Sequence, residues 1–363
     1  MRVLVVNAGS SSLKLSVLES DDRVLAEEEE DAPGGRFDDG SFLDTVRRLP
    51  RPDAVGHRVV HGGPRFSGPV AITPEVVAYL RSLQDLAPLH QTAALDGVEV
   101  VGRALGDIPA VACFDTAFHA RMPEAASTYA IPEEWRERWA IRRYGFHGLS
   151  HAYAARRAAE LLGRPLTDLR IVTCHLGSGA SLAAVDGGRS VDTTMGFTPL
   201  EGVVMATRAG SVDPGLVLWL QSHGGLGEPE ISDALEHRSG LAGLAGTGDM
   251  RRVLEAVAAG DASARLALDD YVHRLRAGIA AMASAMGGLD ALVFTGGVGE
   301  HAAPVREAAA TGLGFIGVAL DHTDPGPAPD AEIGPPGARV RTLVSRARED
   351  LEIAAHVRRL LEL

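Results

Sequence analysis

Hydrophobic positions recur with two periods along the chain. Residues 2–6 (RVLVV) predict a buried strand, NAGSSS a Gly/Ser turn, and LKLSVLE a second strand with period-two alternation. Residues 27–41 (EEEEDAPGGRFDDGS) read as an acidic loop. AVGHRVV predicts a short strand that runs into a double glycine. TPEVVAYLRSLQDLAP predicts an amphipathic helix with Thr73 as cap and Pro88 as terminator. DIPAVACFDTAF predicts a strand with Asp115 at its carboxyl end. LSHAYAARRAAELLG predicts a helix capped by Ser150 and stopped by Gly163.

The second half opens on DLRIVTCHLGSGASLAAVDGGRSVDTT, again strand, Gly/Ser turn, strand. VVNAGSSSLKLSV and VTCHLGSGASLAAV therefore repeat one another, with Gly9 matching Gly177 and Ser10 matching Ser178. Residues 261–287 predict a long amphipathic helix. LDALVFTGGVGEHAAPVREAAATGLG predicts strand, Gly-rich loop, helix; 322–338 a loop; VRTLVS a last strand; and REDLEIAAHVRRLLEL a last helix. Alternating strands and helices make this an α/β chain, and in open α/β sheets ligands sit beyond the carboxyl ends of the strands. Three Gly-rich turns at such ends, NAGSSS, HLGSGAS and TGGVGE, suit backbone N–H groups that cradle phosphates. No Walker A sequence occurs, and no GxGxxG follows a predicted strand with an acidic residue at the distance a dinucleotide fingerprint requires.

Length and composition narrow the classes. A chain of 363 residues, 45% hydrophobic and 23% charged, makes about two globular domains. A net charge of −13 excludes a general basic footprint for nucleic acid, though not a local Arg cluster that grips a nucleotide. Cys113 and Cys174 each end an apolar run, which suits reduced thiols in a cytoplasmic protein. MRVLVV is too short for a signal peptide, and no apolar run is long enough to span a membrane. Every cation but one among the Lys and Arg residues is Arg. Lys14 therefore either marks a place where a compact ammonium on a flexible stem is wanted or survives by chance.

Several side chains are candidates for chemistry. Arg58 in VGHRVVHGG and Arg208 in MATRAGS lie in apolar, Gly-flanked segments that suit a bidentate grip on carboxylate or phosphate; a structural ion pair is the plainer alternative. Histidines cluster between His57 and His175, but without HExxH or paired Cys-x-x-Cys they do not read as a zinc site. His147 and His175 stand beside glycine at the ends of apolar runs, where an imidazole can donate to developing negative charge. Asp115 and Glu349 offer hard oxygens at element ends, suited to Mg²⁺ carried with phosphates, with a cap or an ion pair as the plainer alternative; Asn7 suits a metal-bound water.

Together these segments resemble the acetate kinase family. VLVVNAGSSSLK, VGHRVVHGG, APLH, FDTAFHARMP, RRYGFHGLSH, TCHLGSGAS, SVDTTMGFTPLEG, TRAGSVDP and LVFTGGVGE follow its pattern in order over nearly the whole chain. The resemblance implies two duplicated actin-like, ribonuclease H-like domains with an ATP-binding cleft between them. It places one domain at 1–117 plus 350–363, and a nucleotide-binding and dimerisation domain at 118–349. It implies a homodimer and reversible phosphoryl transfer between ATP and acetate, giving ADP and acetyl phosphate, with Mg²⁺ or Mn²⁺. Carried over by motif, Asp115, His147 and Arg208 are catalytic. Arg58 grips the carboxylate, His90 lines the site, and Val60, Leu89, Phe146 and Pro199 surround the acetate methyl. Lys14 lies near the phosphates. His175, Leu176, Gly177, Ser178 and Gly179, then Asp249, Met250 and Arg251, then Gly297, Val298, Gly299, Glu300 and His301 fall on nucleotide segments. Asn7 and Glu349 help hold the metal.

The chain departs from the family in places. Ser178 and His301 stand where Asn is usual, Leu149 where Thr is usual, and SRARED replaces TNEE. The acidic loop is also short. Propionate or butyrate kinase activity is the near alternative. A non-metabolic actin-like ATPase is the remote one, set aside because such proteins lack the GFTPLEG and HRVVHGG segments.

Overall fold

The computed structural model describes residues 1–9, 12–32, 37–84, 88–321 and 330–361, and of 88–90 the backbone alone. Ser10, part of the expected repeat, lies outside them. The chain forms two compact units. One holds Met1–Arg121, Phe146–Tyr153 and Arg348–Leu363; the other holds Met122–Gly145 and Ala154–Ala347.

Unit 1 carries β1 (Val3–Ala8), β2 (Ser12–Leu18), β3 (Val24–Asp31), β4 (Ala54–Val59), β5 (Val70–Ala71) and β6 (Ala110–Phe114), in the order β3-β2-β1-β4-β6-β5. Unit 2 carries β7 (Arg170–Leu176), β8 (Ala180–Asp186), β9 (Arg189–Thr193), β10 (Ala291–Thr295), β11 (Asp330–Glu332) and β12 (Arg341–Ser345). Its order from one edge is β9-β8-β7-β10-β12-β11, the same path strand for strand. The directions match too. The hairpin pairs are antiparallel, the three central strands parallel, and the short edge strand antiparallel. The repeat between the two Gly/Ser turns is thus the visible trace of two similar α/β domains.

Period-two alternation sets which residues face which layer. Leu4 and Val6 of β1 pack with Leu13, Leu15, Val17, Phe42, Val46 and Val100 on one face. Val3 and Val5 pack on the other with Leu18, Val111 and Cys113, against Ile353, Ala354 and Val357 of the helix Glu349–Leu361. Leu149, where the family usually has Thr, is buried in this second layer. In unit 2 the helix Ala262–Ala285 packs on β7, β8 and β9. Its Ala264, Ala267 and Ala283 are buried against their own unit. No helix among the described residues is long and apolar enough to cross a membrane.

Some expectations need correction. Glu27–Asp31 forms the greater part of β3 instead of a loop. As an edge strand largely open to water it solvates its carboxylates, and their charge blocks further strand pairing. A helix, Asp39–Arg48, begins before that segment ends. Thr73 caps its helix as expected, accepting from the Val76 N–H, but the helix stops at Arg81. Pro88 instead opens the next helix, Pro88–Leu105, where a residue without an N–H loses nothing. Ser150 lies inside the helix Gly148–Leu162; the Gly148 N–H bonded to the Asp115 carbonyl marks the true start, and Gly163, at φ 61°, follows the end. GGVGEH (296–301) is one helical turn and a half, because the Glu300 carboxylate folds back to accept from the Gly296 N–H. Of 322–338, residues 330–332 are strand β11, and 322–329 lie outside the described residues.

Two consequences are measurable. A Cβ at Gly56 would lie 2.5 Å from Ile353 Cγ2 and 2.8 Å from Val357 Cγ2. Gly56→Val should therefore push the helix Glu349–Leu361 off the sheet at a cost of about 1–3 kcal/mol. A urea midpoint equal to that of the parent would refute this packing. The second concerns three buried imidazoles in unit 1. Burial holds His57 down to about 3, and His61 and His119 to about 4. The Nδ1 of His61 accepts from the Gly63 N–H at 2.8 Å, a bond that a proton there would break. The unfolded chain takes up these protons near pH 6.5, so the stability they carry is complete above that pH. It is lost as the pH falls towards 4 and then 3, by about 2 kcal/mol per imidazole at pH 5. Urea midpoints should drop between pH 7 and pH 5, and His57→Gln should flatten that drop. Parallel pH profiles for the two proteins would contradict the account.

Candidate active site

The register of unit 1 brings four predicted residues into one chain of contacts. Val5 lies opposite Gly56 in the parallel pair β1–β4, and Arg58 opposite Cys113 in β4–β6. Two residues beyond Val5, Gly56 and Cys113 come Asn7, Arg58 and Asp115. All three project from the face that carries the helix Glu349–Leu361, at the carboxyl ends of three adjacent parallel strands. Arg58 donates from Nε to Asp115 Oδ1 at 3.0 Å and from Nη2 to Oδ2 at 2.6 Å. Its Nη1 donates to Asn7 Oδ1 at 3.0 Å. Asn7 Nδ2 in turn donates to Glu349 Oε2 at 2.8 Å. Asp115 is 1% exposed and the Arg58 side chain 11%. Burial alone would lower the Arg58 pKa, but the carboxylates of Asp115 and Glu349 outweigh it and hold the guanidinium charged. The two alternatives read for Arg58, an anion grip and an ion pair, are thus not exclusive. The pair occupies one edge of the fork and leaves N–H groups on the other.

Phe146 and His147 belong to the same unit, just before the helix Gly148–Leu162. Phe146 is buried, edge-on to His61 at 5.6 Å. His147 is half-buried with φ 56°, a left-handed conformation rare for a residue with a Cβ. Val60 is buried just past the end of β4. Leu89 and His90 lie on the helix Pro88–Leu105, with side chains outside the described structure. Lys14 stands opposite Asn7 in the β1–β2 hairpin, exposed, its Nζ 3.3 Å from Glu29 Oε1.

Unit 2 gathers the turns. His175 and Leu176 end β7, and the Gly177 N–H bonds the Gly179 carbonyl at 2.9 Å to close the turn before β8. The Ser178 carbonyl accepts from the Ala206 N–H at 3.1 Å, so this departure from the family leaves the turn anchored through its backbone. Asp249 caps the helix Met250–Ala258 by accepting from the Arg251 N–H, and pairs with the exposed Arg251 side chain at 2.8 Å. Met250 is buried, so its side chain serves the core. Gly297, Val298, Gly299, Glu300 and His301 lie in the helical turn after β10. Glu300 Oε1 accepts from both the Gly296 and Ala347 N–H groups, tying this turn to the segment after β12. His301 is exposed.

Arg208 is placed differently from Arg58. Its Nη1 donates to the Pro199 carbonyl at 2.9 Å, and it forms no ion pair among the described residues. Burial pulls its pKa down against the attraction of Glu236.

Motif reading missed the clamp that holds the Pro199 segment. Arg143 donates to the Thr194 and Met195 carbonyls, both at 3.1 Å, and to Glu201 Oε1 at 2.8 Å. Tyr129 donates to the other Glu201 oxygen and accepts from the Phe197 N–H at 3.0 Å. The Arg143 guanidinium also lies 5.4 Å over the Tyr129 ring. The one available signal was the opposite charge of Arg143 in RRYG and Glu201 in PLEG.

Comparison with known proteins is consistent across the chain. The acetokinase family profile matches residues 44–355. An acetate kinase of Gloeobacter violaceus is 52% identical over 85% of this chain and 77% of its own length. One of Nostoc sp. is 43% identical over 100% of both. Among solved structures, Porphyromonas gingivalis acetate kinase aligns over 99% of both chains with TM-score 0.89 and 36% identity. A propionate kinase of Francisella tularensis aligns over 99% of both with TM-score 0.89 and 34% identity. Relatives of this identity over the full length, together with two sheets repeated strand for strand, place the chain by descent as well as by shape: it belongs to the acetokinase family.

Proposed function

We propose that this chain is an acetate kinase that moves a phosphoryl group reversibly between ATP and the carboxylate of acetate. The observation that carries the reading is the Arg58–Asp115 pair at the carboxyl ends of β4 and β6. It is a fixed, permanently charged fork, with N–H groups left for a second carboxylate. The relatives named acetate kinase supply the reaction class.

The chemistry asks for little covalent work from the protein. In the forward direction an acetate oxygen attacks the γ-phosphorus, the bond to the ADP oxygen breaks, and the electron pair leaves with ADP. Acetate is ionised at neutral pH, so no general base is required. Arg58 orients the carboxylate, and Asp115 and Asn7 hold Arg58 in place. Arg208, without a carboxylate of its own, and His147 donate to the charge that spreads over the transferring oxygens. The turns at 175–179, 249–251 and 297–301 take the nucleotide, and Lys14 assists at the phosphates. Val60, Leu89, Phe146 and Pro199 surround the methyl, with His90 beside them.

Asn7 and Glu349, in contact at 2.8 Å, are hard-oxygen groups that suit Mg²⁺ or Mn²⁺. No cluster of three His, Cys, Asp or Glu side chains that could hold a metal exists among the described residues. Such a sparse donor set fits a cation carried by phosphates and water. When bound, that cation offsets phosphate charge. A cytoplasmic homodimer completes the reading. The support for a second copy is the helix Pro214–Ser222 in unit 2, with Leu216, Leu218 and Trp219 exposed and no residue buried. The buried alanine face of Ala262–Ala285 is unavailable to a partner.

A second reading, propionate kinase, is favoured by the Francisella tularensis structure, which aligns with the same TM-score as the acetate kinase. Purified protein with ATP, Mg²⁺ and a series of carboxylates, trapping acyl phosphate as the hydroxamate, decides between them. No product with any carboxylate would refute the whole reading. Arg208→Ala should lower kcat by roughly 10²–10³-fold with little change in ATP KM, the expected loss of a donor aimed at transition-state charge. Near-normal kcat would remove Arg208 from the mechanism. Val60→Ala should raise kcat/KM for propionate relative to acetate. One methylene in an apolar pocket is worth about 1–3 kcal/mol, so the parent should still accept propionate, more slowly. A ratio unmoved by Val60→Ala would displace Val60 from the methyl pocket.

A further inference from the structure

The left-handed backbone of His147 needs something to hold it, since such conformations persist only where their surroundings over-determine them. Three hydrogen bonds converge there. The Gly148 N–H donates to the Asp115 carbonyl at 3.0 Å, and the His151 N–H to the His147 carbonyl at 2.9 Å. Both are backbone bonds at the helix start. The third comes from a side chain: His119 Nε2 lies 3.1 Å from the Phe146 carbonyl. A carbonyl oxygen only accepts, so Nε2 carries the proton. His119 is fully buried, on the one-turn helix Ala117–His119 just after Asp115, its ring edge-on to His151 at 5.7 Å. The backbone at Gly148 has no slack either, since a Cβ there would lie 2.1 Å from the Asp115 carbonyl oxygen. The peptide joining Phe146 to His147 is thus fixed on one side by Asp115 and on the other by His119.

We propose that His119 is a positioning residue for the phosphoryl transfer: its bond to the Phe146 carbonyl sets the Phe146–His147 peptide and keeps the His147 imidazole where it acts. The inference rests on the reading of His147 as a donor to transition-state charge. Without the bond the peptide rotates, His147 relaxes to negative φ, and its ring leaves its post. The nucleotide turns belong to other segments, so ATP binding is untouched.

The test combines His119→Leu, His119→Gln and His119→Asn with His147→Ala, each checked for folding by circular dichroism and assayed for kcat and ATP KM. Displacements on the ångström scale cost up to 10²-fold. His119→Leu should therefore lower kcat by roughly 10–100-fold while ATP KM stays within about twofold. His119→Gln, whose amide nitrogen reaches the position of Nε2, should restore most of kcat; His119→Asn, one methylene shorter, should not. If His119→Leu does not fold, the Gln and Asn pair carries the comparison alone. In a His147→Ala background, His119→Leu should lower kcat no further. Independent, multiplying effects of the two changes would overturn the proposal, as would equal kcat for the Gln and Asn proteins. A His147→Ala protein with normal kcat would instead overturn the reading of His147 on which it rests.

Discussion

A guanidinium taken out of water must find its counter-charge at once, and in unit 1 Arg58 finds it in Asp115. Much else in that unit is arranged around this requirement. The parallel register of β1, β4 and β6 aligns Asn7, Arg58 and Asp115, and a shift by one residue would turn Arg58 into the opposite, apolar layer. The glycine at 56 lets the helix Glu349–Leu361 lie close over the same face, bringing Glu349 to Asn7. The Asp115 carbonyl then anchors the start of the helix that follows His147. One ion pair thus links strand register, helix placement and the geometry of the site.

The two sheets have kept their topology and parted in chemistry. By register, Asn7 corresponds to His175, Arg58 to Thr295, and Cys113 to Ser345. Where the first sheet ends in Asn, Arg and Asp, the second ends in His, Thr and a tight Gly-Ser-Gly turn. The first can face a small charged acid. The second offers backbone N–H groups, which suit a bulky polyphosphate that needs many weak donors and close approach. Duplication supplied two equivalent strand ends, and side-chain divergence made them unequal.

Much of this was legible in the sequence, for local reasons. Alternation in VLVVNA and LKLSVL, broken by a Gly/Ser turn, marks a hairpin whatever surrounds it. Thr73 caps its helix through its own side chain. The failures were non-local. Glu27–Glu30 become a strand only because β2 offers an edge, and Pro88 can stop one helix or start another with the same ring. Arg58 and Asp115 were each read as candidates, but their partnership spans 57 positions and emerges from parallel pairing. Tyr129, Arg143 and Glu201 had no periodicity to betray them; their link exists only once the chain has turned back on itself over 72 positions.

The helix Glu349–Leu361 has a bearing on synthesis. Its Ile353, Ala354 and Val357 complete the layer begun by Val3 and Val5, near the opposite end of the sequence. On the ribosome, the opening strands emerge first and wait, one face bare, while the second unit is made and released. The last core strand of that unit, Arg341–Ser345, leaves the exit tunnel only a few residues ahead of the helix, so both layers close late in synthesis. The layer opened by Val3 and Val5 therefore stays without its cover until residues 353–357 have been made, and until then it is open to chaperones or to premature association.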